Sequence, residues 1–167
     1  MRLRCISLAL AALPMWAQLP SPNAMGVSAG HDVFRAKDIE VTNNFWKALG
    51  AEPAPFTATL KIMKFPGLLI LTVGGAPAQK GGPNPAAPAA ELLGSEGSSL
   101  DTIGFRVKDL KASLAKWDAS GIKPLPGGTA TQVYLMNPDK IKVRITEDKS
   151  IATAIAADSV KMVVPNP

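Results

Sequence analysis

Two stretches of the chain alternate apolar and polar residues in the same way, His31-Asp-Val-Phe-Arg-Ala36 and Thr102-Ile-Gly-Phe-Arg-Val107. Period-two alternation predicts half-buried strands. Each stretch is followed by an acid placed to cap a helix (Asp38, Asp109), an amphipathic segment with a tryptophan, and a glycine near the helix end (Gly50, Gly121). Further apolar runs predict strands over Thr59 to Phe65 and Leu68 to Val73 in the first half. In the second half they predict strands over Thr131 to Met136 and Ile141 to Thr146, with a turn at Asn137-Pro-Asp-Lys140 between them. Between the halves, Gly74 to Ser99 is rich in Gly, Pro, Ala and Ser without apolar period and reads as a mobile connection.

The two halves are copies of one another. Displacing the sequence by 71 positions lays His31 on Thr102 without a gap and pairs Phe34 with Phe105, Arg35 with Arg106, Lys37 with Lys108, Asp38 with Asp109, Trp46 with Trp117 and Pro53 with Pro124. Each copy therefore reads strand, helix, strands. Asp158-Ser-Val-Lys-Met-Val-Val-Pro-Asn-Pro167 aligns with the opening Asp101-Thr-Ile-Gly-Phe-Arg-Val-Lys-Asp-Leu110, so the tail 151–167 looks like the start of a further module. That tail is either a remnant strand docked on the existing sheet or the front of a longer reading frame, and the second is favoured because so short a piece cannot bury its own core.

The chain opens with Arg2 and Arg4 before an apolar run from Cys5 to Trp16, the pattern of a secretory signal peptide and too short to span a bilayer. Residues 1–17 are read as the leader, with the mature chain starting near Gln18 or, alternatively, after Ala24, and the protein as exported, periplasmic or secreted, with no membrane anchor. Cys5, in the leader, is the only cysteine, which excludes a disulfide framework, thiolate metal ligation and a cysteine nucleophile from the mature protein. The formal charge of +5 falls to +3 without the two leader arginines, too little and too dispersed to argue for nucleic acid. A hydrophobic content of 47% is enough for a full core.

The segments His31 to Asp38 with Asn44-Phe-Trp-Lys-Ala-Leu-Gly50, the repeat Ile103-Gly-Phe-Arg-Val-Lys-Asp-Leu110, and Asn137-Pro-Asp before the last strand together resemble the paired modules of the vicinal oxygen chelate superfamily, the glyoxalase, bleomycin-resistance and extradiol dioxygenase type. The likeness covers residues 26 to 150. It implies an α+β fold of two tandem βαβββ modules, about 26–75 and 99–150 joined by the linker 76–98, each a curved mixed sheet with its helix on the convex side and a ligand groove on the concave side.

Strand parity assigns side chains to that groove. His31, Val33 and Arg35, and Thr102, Gly104 and Arg106, are expected to face it, with Phe34, Ala36, Ile103, Phe105 and Val107 packing towards the helices. The same parity places Leu68, Ile70 and Thr72 in the groove and Leu69, Leu71 and Val73 in the core. It gives Lys142, Arg144 and Thr146 to the groove and Val143 and Ile145 to the core. Metal-dependent members draw four ligands from such positions, and the resemblance maps them to His31, Ile70, Thr102 and Arg144. Only His31 has a ligand-type side chain; Ile70 has no donor, Thr102 is a poor neutral ligand and Arg144 carries a fixed positive charge. Dimerisation would supply the same residues again. His31 is a hydrogen-bonded wall residue, a ligand contact or a general base, Arg35 and Arg106 are structural caps or paired anion contacts, and Arg144 either holds a carboxylate or phosphate or is solvated at the rim.

The expectation is an exported binding protein that takes a small, anionic molecule in its groove with no cofactor, as a monomer or homodimer. The alternatives are a metal-dependent lyase or dioxygenase with a rearranged site, and a structural half of a larger assembly that binds nothing. Fold alone does not choose among them.

Overall fold

The computed structural model describes residues 30–56, 61–74, 94–96 and 98–164. The expected leader and most of the linker lie outside the described residues. The first module runs β1 (His31–Ala36), α1 (Ile39–Leu49), β2 (Glu52–Pro55), β3 (Lys61–Phe65) and β4 (Leu68–Gly74). The second runs β5 (Leu100–Val107), α2 (Leu110–Asp118), β6 (Gln132–Met136) and β7 (Lys142–Glu147), followed by β8 (Ile155–Met162).

The helices start where their caps place them. Asp38 accepts from the N–H groups of Glu40 and Val41 at 2.9 and 3.1 Å, and Asp109 accepts from Ala112 N–H at 2.8 Å, each satisfying donors that a helix N-terminus leaves open. Gly50 closes α1 at a φ of 124°, a conformation L side chains rarely adopt. Trp46 and Trp117, the repeated pair, are both buried.

Each module forms a four-stranded mixed sheet, ordered β1-β4-β3-β2 and β6-β7-β5-β8. The outer strands of the repeat pair identically: β1 runs parallel to β4 with His31 opposite Leu69, and β5 parallel to β7 with Gly104 opposite Arg144. β2 lies at a sheet edge, the place where Pro53 and Pro55, without N–H donors, are tolerated. Its counterpart in the second module is not a regular strand. Lys123-Pro-Leu-Pro126 has the same two-proline spacing and retains a single ladder bond, Leu125 N–H to the Tyr134 carbonyl at 2.7 Å. The fourth position is instead supplied by β8, which pairs antiparallel along the other edge of β5. The tail thus contributes a strand docked on the sheet of the second module.

One core joins the modules. Trp46 on α1 lies 6.3 Å from Phe105 on β5, and Phe65 on β3 lies 4.6 Å from Phe105. Polar residues tie the same seam. The buried Asp139 carboxylate in the β6–β7 turn accepts the Lys37 backbone N–H at 2.8 Å and the hydroxyl of the buried Thr42 on α1. Asn137 shapes that turn by accepting the N–H groups of Asp139 and Ile141 at 3.0 and 2.7 Å. From the linker, Gly94 to Glu96 docks on the turn, with Ser95 N–H donating to the Lys140 carbonyl and Lys142 N–H donating to Ser95 Oγ. This end of the expected mobile connection is therefore anchored.

Candidate functional site

In the second module the faces are divided as alternation predicts. Ile103, Phe105, Val107, Val143 and Ile145 are buried in the core, and Arg106, Lys142, Arg144 and Thr146 lie on the open face. In the first module, His31, Val33 and Arg35 are exposed on the open face and Ala36 is buried. β4 is reversed relative to its expectation. Leu68, Ile70 and Thr72 are buried, and the parallel register sets Leu69, Leu71 and Val73 beside His31, Val33 and Arg35. Ile70 is therefore not a groove residue but part of the core. The run Leu-Leu-Ile-Leu-Thr-Val contains no alternation, so its hydrophobicity carries no parity; Thr72, its one polar residue, is buried with no hydrogen-bond partner for its hydroxyl among the described residues.

The open face of the second module carries a row of charges. Arg106 donates to Asp148 at 2.9 Å and its Nε lies 3.5 Å from Asp158 Oδ1. Arg144 Nη2 donates to Asp158 Oδ2 at 2.8 Å and to Ser159 Oγ at 2.9 Å. Two neighbours in sequence, Asp158 and Ser159, reach the same guanidinium because the β5–β8 register shifts there: Gly104 pairs with Ser159 but Phe105 with Ala157, leaving Asp158 as the extra residue. Such a bulge re-aims a side chain that regular alternation would send elsewhere. Hydrogen bonds from the Ser150 hydroxyl and backbone, and then from Arg106, hold the Asp148 carboxyl below its ordinary pKa. Glu147, at the strand end, accepts the Leu110 N–H and so caps α2.

Beside this row lies an open cleft of about 320 Å³, lined by Asp101, Thr102, Leu125, Pro126, Tyr134, Lys142, Arg144 and Lys161. Of the three cations that line it, Lys161 pairs with Asp101 at 2.9 Å and Arg144 with Asp158 at 2.8 Å. The Tyr134 hydroxyl accepts from Gln132 Nε2 at 3.2 Å and keeps its own proton to donate. Of the expected groove residues, Thr102 and Arg144 line the cleft, Arg106 adjoins it through Asp158, and His31 and Arg35 lie on the other sheet and do not line it. Lys142, Lys161, Tyr134 and Asp158 complete the site. The alternation of β7 pointed to Lys142; Tyr134 on β6 and Lys161 on β8 were not singled out, and Asp158 depends on a long-range bulge that no local pattern announces.

Of the four positions that the resemblance maps to metal ligands, the structure places Thr102 and Arg144 at the cleft, Ile70 in the core and His31 on the sheet of the first module. Ile70 is buried and donorless, the Arg144 guanidinium is bonded to Asp158, and no group of three or more His, Cys, Asp or Glu side chains able to hold an ion occurs among the described residues.

No family model and no curated protein matches the sequence. Solved structures do match the architecture. An integron cassette protein from the mobile metagenome of V. cholerae superposes with a TM-score of 0.51 at 19% identity, over 81% of this chain and 98% of that one. Lactoylglutathione lyase from Agrobacterium tumefaciens gives 0.50 at 16% identity, over 78% of this chain and 98% of that one. The fosfomycin resistance protein FosX from Listeria monocytogenes gives 0.50 at 16%, over 74% and 90%. The chain therefore belongs to the class of α+β proteins built from tandem modules with a parallel first-to-last strand pair. Within that class its fold is the one these lactoylglutathione lyase and fosfomycin resistance structures share, the fold that the resemblance to the vicinal oxygen chelate superfamily implies.

Proposed function

We propose that the open face of the second module binds a small anionic molecule directly, by hydrogen bonds and charge, without a metal ion. The observation that carries this reading is the cleft itself, where Arg144, Lys142 and Lys161 stand around Thr102 and the Tyr134 hydroxyl. Its volume of about 320 Å³ is at the small end of ligand pockets, which run from roughly 300 to 1,000 Å³, and suits a compact carboxylate or phosphate ester. A guanidinium can engage either oxyanion with two parallel N–H bonds, and a flanking ammonium adds a second point of charge. The leader-like first 17 residues support a protein that works after export, meeting its ligand outside the cytoplasm.

The test is a melting series of the purified protein with small carboxylates and phosphates in chelator. Binding of the native state raises the melting temperature by mass action. The reading expects a rise with at least one class of anion, lost in Arg144→Ala and reduced in Lys142→Ala. A rise unchanged by either substitution would place binding elsewhere, and no rise with any anion would remove the reading.

A further inference from the structure

Arg144 and Arg106 are not free to receive a ligand as they stand, because the chain supplies its own carboxylate to both. Asp158 bridges the two guanidinium groups from the bulge in β8. The engagement is incomplete. Asp158 and Ser159 both bond to Nη2 of Arg144, while its Nε is buried and has no acceptor among the described residues; the Nε of Arg106 is likewise buried and without a hydrogen bond. The Nε and Nη2 hydrogens form the side-on fork of an arginine, which a well-placed oxyanion fills with both oxygens. Asp158 fills one tooth of it.

The strand contact that holds this arrangement is built for close approach. Gly104 lies between Arg144 and Ser159 in the register, and a Cβ at that position would sit 2.6 Å from Ser159 Oγ and 3.1 Å from Arg144 Nη2. Glycine thus lets the guanidinium cross β5 to reach β8. The pair is also weakly held, with the two side chains 29% and 30% exposed, so solvent screens it.

From this geometry we infer that Asp158 is an internal competitor for the anion site: a ligand oxyanion displaces it from the Arg144 fork, and ligand affinity is set by how firmly the β8 bulge holds that carboxylate in place. The inference rests on the proposed anion binding and adds its regulation. An entering carboxylate or phosphate gains the Nε hydrogen bond that Asp158 leaves unmade, while Asp158 turns to solvent or stays on Arg106.

Calorimetric titration of the full-length protein with inorganic phosphate and with succinate, in chelator, tests the exchange on wild type, Asp158→Asn, Ser159→Ala and Arg144→Ala. The expected result is that Asp158→Asn tightens binding about three- to tenfold, a gain of about 0.7 to 1.4 kcal/mol, by removing the competing charge. Ser159→Ala, which leaves the ion pair but loosens it, moves affinity the same way by less and decides the matter if Asp158→Asn folds poorly. Arg144→Ala abolishes binding. Equal or weaker binding in both β8 variants, with Arg144→Ala still defective, would overturn the competitor while leaving the anion site standing. Absence of binding in wild type and β8 variants alike would overturn both.

Discussion

Replacing Asp139 by alanine removes the acceptor on which two modules meet, and the structure sets the size of the effect. Two bonds disappear: Lys37 N–H to the carboxylate at 2.8 Å, and the hydroxyl of Thr42 to its second oxygen. Hydrogen bonds to a charged partner contribute about 1.5 to 3 kcal/mol each, offset by the desolvation that burying the carboxylate had cost. The Lys37 amide is only partly buried and can turn to water, but Thr42 is fully buried and its hydroxyl is left without a partner. A loss of about 3 kcal/mol follows, which for a chain of this size is a fall of roughly 10 °C in melting temperature. Thr42→Val, which leaves the carboxylate its amide partner, costs about 1 kcal/mol. The double variant should match Asp139→Ala closely, because the hydroxyl has nothing left to donate to, giving a coupling of about 1 kcal/mol. Urea unfolding of the four proteins measures this. An Asp139→Ala within about 0.5 kcal/mol of wild type, or two losses that simply add, would refute the view that this carboxylate joins the modules.

Three further outcomes are expected. Ile70→Ser should cost about 3 kcal/mol or more while Leu71→Ser costs well under half of that, and the reverse order in urea unfolding would restore the opposite facing of β4. Gly94→Ala should destabilise by more than 1 kcal/mol, since its φ is +64° and a Cβ would clash with the Lys140 carbonyl oxygen; a melting temperature equal to wild type would mean the linker end is not docked. Asp32 is half-buried with one oxygen lacking a partner, and desolvation raises its pKa, partly opposed by His31. A carboxyl whose folded pKa lies above its unfolded value makes the native state bind more protons, so stability falls as pH rises between the two values. Asp32→Asn should therefore raise the melting temperature at pH 7 and lose that advantage near pH 3; equal effects at both pH values would contradict the assignment.

The parts legible in the sequence are those where one face of an element differs from the other. Ile103-Gly-Phe-Arg-Val107 and Lys142-Val-Arg-Ile-Thr146 alternate, and their faces follow from the letters alone; the same holds for the caps Asp38 and Asp109 and the repeated Trp46 and Trp117. β4 is apolar on both faces, and there the periodicity carries no information about which residues meet the core. The proline-bearing β2 is not among the strands expected from the apolar runs, because its membership of the sheet is decided by its edge position rather than by propensity. Asp139 and Asp158 were hidden for another reason: each acts on residues distant in sequence, 97 positions away for Thr42 and 14 for Arg144, through a turn and a bulge fixed only by tertiary pairing. The candidate site was thus half visible, in Thr102, Lys142 and Arg144, while the carboxylate that governs the arginine was not.

The claim that the groove meets its ligand without a metal is tested most directly by elemental analysis of the purified protein together with phosphate and succinate titrations, in chelator and with Zn²⁺, Ni²⁺, Mn²⁺ or Fe²⁺ restored. The account predicts no stoichiometric metal, the same anion affinity in chelator as with each ion, and loss of that affinity in Arg144→Ala. A stoichiometric metal, or anion binding that appears only when an ion is restored and depends on His31, would contradict it.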